Sequence, residues 1–191
     1  MKRILAVLIS LSLIFCLVGC KGTDKKKTEH SIDVEYYAKL GQIPEYEYKL
    51  GSDAEAMKTA FDAEDQKNAE GEEDGHIHSV YSLMEMDDFS FLSYKNANYY
   101  YNNDDNSVFA VVGLDTAYGF SVGTVILEVK EALSEFEPKE TDGKYDKIFF
   151  MPMSDTYTSL EYEFGKNTVI FVFEENLLCA TMICESAYFA E

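Results

Sequence analysis

The chain has 191 residues, and 35 aspartates and glutamates against 16 lysines and arginines leave a formal net charge of −19. Such a surface repels nucleic acid and anionic lipid, and it favours basic proteins, cationic peptides or divalent cations. An apolar fraction of 47% is enough to bury a core in one domain or two small halves, and 14 tyrosines and 13 phenylalanines must fill it without tryptophan.

The N-terminus reads as a secretory signal. Lys2 and Arg3 give a basic start, residues 4–18 form an apolar run broken only by Ser10 and Ser12, and small Gly19 precedes a cysteine. A run of fifteen residues is short of the ~20 apolar residues that a spanning helix needs. The run Leu17-Val18-Gly19-Cys20 resembles the lipobox of bacterial lipoproteins at all four positions. That resemblance implies cleavage after Gly19 and a diacylglyceryl thioether on Cys20. The mature protein would then sit on the extracytoplasmic face of the cell membrane, held by its lipid. Two acyl chains anchor stably where one does not.

Residues 20–34 follow as lipidated cysteine and tether. The stretch 21–30 has no apolar residue and no period, and it carries Lys21, Lys25, Lys26 and Lys27. Tyr46 and Tyr48 alternate with charge, which predicts an edge strand over 45–50. Ser52, with Glu55 three residues on, reads as a capping box opening a helix that runs towards Ala69, with Met57, Ala60 and Phe61 on its apolar face.

The loop after that helix, Glu70-Gly71-Glu72-Glu73-Asp74-Gly75-His76-Ile77-His78, holds the best metal candidates. In an extended segment His76 and His78 face the same way, and Asp74 supplies an oxygen beside them; two imidazoles and a carboxylate suit zinc or copper. The flanking glycines equally fit a solvated loop. Strands are predicted over 77–86, 89–94, 99–101 and 107–112, separated by turn residues such as Asn102-Asn103-Asp104-Asp105-Asn106. Tyr94, Tyr99, Tyr100 and Tyr101 gather in one hairpin, and aromatic clusters of this kind anchor protein interfaces or pack into a sheet core.

The segment 50–61 then recurs without gaps at 122–133, an offset of 72 residues. Thr124 takes the place of Ser52 as cap, Val129, Ala132, Leu133 and Phe136 give the apolar face, and Pro138 bounds the helix. Strands follow over 147–153, 159–164, 168–174 and 177–185. Cys179 and Cys184 lie five apart in the last strand. In a regular strand they face opposite sides about 16 Å apart, too far for a disulfide, so they read as free packed thiols.

A helix followed by an antiparallel meander, twice, predicts an α+β fold with helices packed on one sheet face. The units would be 35–115 and 116–191, or one compact domain over 36–191. The run from Gly119 to Leu133, then strands with Tyr162 and Phe164 before Gly165, is similar to an element of the BLIP-like and SmpA/OmlA-like envelope proteins. Those families implicate the same helix-on-sheet architecture, with β-lactamase-inhibitor members holding two units in tandem, and protein binding rather than catalysis. The chain departs from them where Ser134-Glu135-Phe136 replaces a closing glycine.

No Gly-x-Ser-x-Gly elbow, P-loop or dinucleotide glycine pattern frames a reaction. The expectation is therefore a lipid-anchored, non-catalytic module that binds an envelope or secreted protein. It has no cofactor beyond the lipid on Cys20. The alternative is a ligand or divalent-metal site at His76, His78 and Asp74; a hydrolase ranks third.

Overall fold

The structure is a computed structural model, and it describes residues 32–69, 79–142 and 157–189. The first element among the described residues is a short helix, α1 (Val34–Lys39), where the sequence predicts tether and the start of the first unit. Its start is specified locally. The Asp33 carboxylate accepts from the Tyr36 amide at 2.9 Å, and Val34 and Ala38, one turn apart, are both buried.

Helix α2 (Ala54–Ala69) follows, with a narrow buried stripe of Ala54, Met57 and Phe61. Its cap is Asp53, whose Oδ1 accepts from the Ala56 amide at 2.8 Å, rather than the expected Ser52. The Ser52 hydroxyl instead accepts from the Lys49 amide and closes the preceding turn. The expected edge strand over 45–50 is a series of turns.

The main sheet has eight strands, antiparallel throughout, in the order β1-β2-β3-β4-β10-β9-β8-β7. They are β1 (Tyr81–Glu85), β2 (Phe89–Tyr94), β3 (Ala97–Asn102), β4 (Val108–Gly113), β7 (Lys139–Asp142), β8 (Tyr157–Phe164), β9 (Asn167–Glu174) and β10 (Leu177–Glu185). A small hairpin, β5 (Thr116–Ala117) with β6 (Phe120–Ser121), and helix α3 (Ile126–Ala132) lie between β4 and β7. The strand expected over 147–153 lies outside the described residues. The chain is thus α+β, a large antiparallel sheet with a few helices.

Strand alternation divides the core in two. Val169, Phe171 and Phe173 of β9 join one cluster, and Ile170 and Val172 join the other. The first cluster also takes Val34 and Ala38, then Ala54, Met57 and Phe61, then Ile126, Val129 and Leu133; the second is made of strand residues.

Several local geometries recur along the chain. The Gly51 amide donates to the Val108 carbonyl, the Val108 amide to Ser52 and the Ala54 amide to Asn106, at 2.8–2.9 Å. The Gly123 amide donates likewise to Leu178, Leu178 to Thr124 and Ile126 to Asn176, at 2.8–3.0 Å. The conformations match as well: Gly51 and Gly123 have φ of 78° and 92°, and Asn106 and Asn176 have φ of 58° and 68°. Both β4 and β10 carry a register irregularity, at Phe109 and at Cys179.

The bulge at Cys179 corrects the expectation for the thiols. It adds one residue to the alternation, so Cys179 and Cys184 lie on the same side, against the strand-only cluster. Both are free thiols. The expected Thr124 cap is also absent. Its hydroxyl donates to the Ser121 carbonyl at 2.7 Å, and α3 begins after Val125 with no side-chain cap.

Candidate functional site

After α1 the chain turns across the edge of the β2–β3 hairpin, and two contacts fix it there. The Glu45 carboxylate accepts from the Tyr118 amide at 2.9 Å and from the Gly119 amide at 2.6 Å, one oxygen for each. Those amides belong to the β5–β6 turn, where Tyr118 and Gly119 both have positive φ and present their N–H groups outward. One residue on, the Tyr46 ring packs against Gly113. A Cβ at Gly113 would stand 2.6 Å from Tyr46 Cε2, so only glycine admits the ring there.

Between this segment and the hairpin is a groove of about 540 Å³. Glu45, Tyr46 and Glu47 form one wall, Tyr94, Lys95 and Tyr99 the other, and Asp115 and Thr116 close one end. Tyr99 is buried and packs edge-on against Tyr48 at 5.7 Å. The Tyr94 hydroxyl donates to Glu64 Oε2 of α2 at 2.6 Å. The Leu114 amide donates to the Asn96 carbonyl at 2.9 Å, and Asn96 Nδ2 to Asp115 Oδ2 at 3.3 Å, so the hairpin turn and the β4 end hold each other.

The electrostatics favour positive charge. Glu45, Glu47 and Asp115 face the groove against one cation, Lys95. Glu47 makes no hydrogen bond or ion pair with another described residue. Lys95 Nζ sits 4.4 Å from the Tyr94 ring centre. Its pKa is raised, first by hydrogen bonding to Tyr94 and then, against a desolvation that lowers it, by the charges of Glu64 and Glu47. Burial pushes the Tyr46, Tyr94 and Tyr99 phenols up, so they stay neutral at physiological pH. A groove lined by tyrosines and three carboxylates is suited to an ammonium or guanidinium group, and Lys95 over Tyr94 already displays that contact within the chain.

The four hairpin tyrosines are all buried, and their roles diverge. Tyr94 and Tyr99 line the groove. Tyr101 packs in the same cluster with Lys58 Nζ 5.5 Å from its ring centre. Tyr100 points through the sheet to Phe91, ring centres 5.0 Å apart, and burial pushes its phenol up to about 12. His76, His78 and Asp74 lie outside the described residues, as do Gly19 and Cys20. Among the described residues no three His, Cys, Asp or Glu side chains are grouped to hold a metal ion. The oxygens of the 102–106 turn serve the turn itself: Asn102 Oδ1 accepts from the Asp104 amide and Asp105 Oδ1 from the Ser107 amide.

No protein-family model matches the chain, and no curated protein matches it. Among solved structures it is similar to the crystal structure of a DUF4309 family protein, YjgB, from Bacillus subtilis. The two are 13% identical, with a TM-score of 0.48 over 84% of this chain and 97% of that one. At that degree of likeness no residue role passes from one chain to the other.

Proposed function

We propose that the protein is an extracytoplasmic, lipid-anchored and non-catalytic binding module, and that the groove takes a lysine or arginine side chain of an envelope or secreted protein. The observation that carries the reading is the groove's composition: three carboxylates, Glu45, Glu47 and Asp115, opposed by one lysine, Lys95, in a tyrosine-lined groove. The net charge of −19 draws basic partners to it from a distance. Leu17-Val18-Gly19-Cys20 supports the membrane anchor.

The body of the module is read as two helix-plus-meander units in tandem, with their helices on one sheet face. The recurring hydrogen bonds, the bulges at Phe109 and Cys179, and the single core cluster that holds every buried helical residue support this. So does the β4–β10 ladder. Val112 pairs with Met182, residues at equivalent places in the two units, as a local two-fold axis would require.

The test is titration of the full-length protein with tetralysine and tetraglutamate peptides. Tetralysine should bind with a salt-dependent affinity, tetraglutamate should not, and Glu47→Gln with Asp115→Asn should weaken tetralysine at least tenfold. Equal affinity in wild type and variant would remove the groove from the reading. Incorporation of labelled palmitate in cells, abolished by Cys20→Ala, checks the anchor separately.

A further inference from the structure

The two junctions where a helix follows a glycine turn share their backbone bonding, yet their surfaces differ in kind. Before α2, Asp53 bridges to Ser107, with Glu55 in the first helical turn; all three are polar, and Asp53 caps the helix. Before α3, Val125 bridges to Leu177, with Leu127 in the first turn, and the helix has no side-chain cap. Val125 is 38% exposed, Leu127 64% and Leu177 47%. The backbone does not require apolar residues here, because the first junction forms the same bonds with aspartate, glutamate and serine. Exposing three branched apolar side chains and forgoing a cap both cost stability, so a contact made outside the chain accounts for them.

Exposed Glu128, Glu174 and Glu175 lie beside this patch, on α3 and in the β9–β10 turn. A second copy would bring the same acids and the same excess of negative charge against it. An anionic bilayer would meet the same repulsion.

We propose that Val125, Leu127 and Leu177 form a second docking surface, separate from the groove, for a basic amphipathic segment of a partner protein: aliphatic side chains seated on the patch, lysines or arginines against Glu128, Glu174 and Glu175. The sign of the partner's charge rests on the binding-module reading; the location rests on the difference between the junctions.

The test uses a fluorescein-labelled amphipathic peptide of leucine and lysine with the full-length protein, followed by anisotropy. Leu127→Glu with Leu177→Ser gives the second junction the residues of the first, so the fold is kept, which circular dichroism checks. Both forms of the patch are compared in a Glu47→Gln, Asp115→Asn background, where the groove no longer contributes, and binding should weaken at least tenfold when the patch is substituted. A peptide with serine in place of leucine should not bind the patch. The proposal is overturned if the leucine–lysine peptide does not bind, or if the patch variant binds it equally. Complete loss in the groove variant alone also overturns it while leaving the groove reading intact. Sedimentation showing a wild-type dimer that the patch variant lacks would make the surface a self-interface. Patch-dependent binding to phosphatidylcholine vesicles would make it a bilayer contact. Either result replaces the proposal.

Discussion

The junction before α2 and the junction before α3 reach one backbone arrangement with unlike side chains. At each, a positive-φ glycine turns the chain, an asparagine in the left-handed region closes the facing turn, and amide–carbonyl pairs tie helix entry to strand. Gly51 and Asn106 do this in the first, Gly123 and Asn176 in the second. These few positions carry the conformational demand, since only glycine and asparagine adopt such φ values readily. The neighbouring side chains are then free to serve other ends. In one junction they cap a helix, and in the other they face solvent as an apolar patch. Similar backbones therefore do not imply similar surfaces, and the difference between two matched places is more telling than either alone.

The largest effect should come where β4 and β10 differ. Gly113 ends β4 beside Tyr46, while in β10 the residue after the Val112–Met182 pair is Ile183, a fully buried residue with a large side chain. Gly113→Ala drives a methyl group into the Tyr46 ring and should cost about 1–3 kcal/mol in denaturant unfolding, as overpacked sites do. It should also weaken tetralysine binding, because Tyr46 is a wall of the groove. In a Tyr46→Ala background the same substitution should cost little, a coupling that a double-mutant cycle measures. Equal costs in both backgrounds would mean that Tyr46 is not what confines position 113.

Caps come next in size. Asp53→Ala should destabilise by about 1 kcal/mol, the usual cost of a lost N-cap. Val125→Asp supplies the missing cap at the other junction and should stabilise by up to about 1 kcal/mol. Opposite signs in urea unfolding would confirm that the second junction gives up stability its fold does not require. A destabilised Val125→Asp would show instead that Val125 packs usefully within the chain.

Much of this architecture is legible in the sequence, and the misses have physical causes. The limits of β2 and β10 follow from Asp87-Asp88, Lys95-Asn96 and Glu175-Asn176 at their ends. The cap of α2 lies one residue beyond the expected Ser52. Serine and aspartate are both strong caps, and only the backbone decides which of Ser52 and Asp53 stands at the boundary. Helix α1 is too short for periodicity to reveal, although Asp33 and Gly41 bracket it as cap and stop. The groove could not be read locally at all. Glu45 and Glu47 come from a turn segment, Tyr94 and Tyr99 from a hairpin and Asp115 from beyond β4, and only the strand order brings them together. The alternation at 45–48 resembles a strand, yet Glu45 is drawn to the Tyr118 and Gly119 amides instead.

The smallest effect tests the matched bulges, where Phe109 in β4 corresponds to Cys179 in β10. The second bulge turns Cys179 to the side of the strand-only cluster that holds Cys184, which is fully buried, and burial pushes the Cys184 thiol up to about 12. Cys179 is half-buried, and its thiol is also raised, first by burial and then by the charge of Glu174. A thiol held protonated in the folded state above its unfolded pKa of about 9 gives stability that is complete below that pH. As pH rises towards 12 the unfolded chain releases the proton while the folded one retains it, so that stability is lost. Wild type should therefore lose more stability than Cys184→Ala between pH 8 and pH 10.5, measured as the fall in urea midpoint. The buried phenols of Tyr100 and Tyr162, also pushed up to about 12, contribute equally to both proteins and cancel in the comparison. Peptide mapping after thiol labelling at pH 8 should find Cys179 modified first, with Cys184 following only on unfolding. Labelling of Cys184 at the rate of Cys179 would mean that Cys184 is not held in the core.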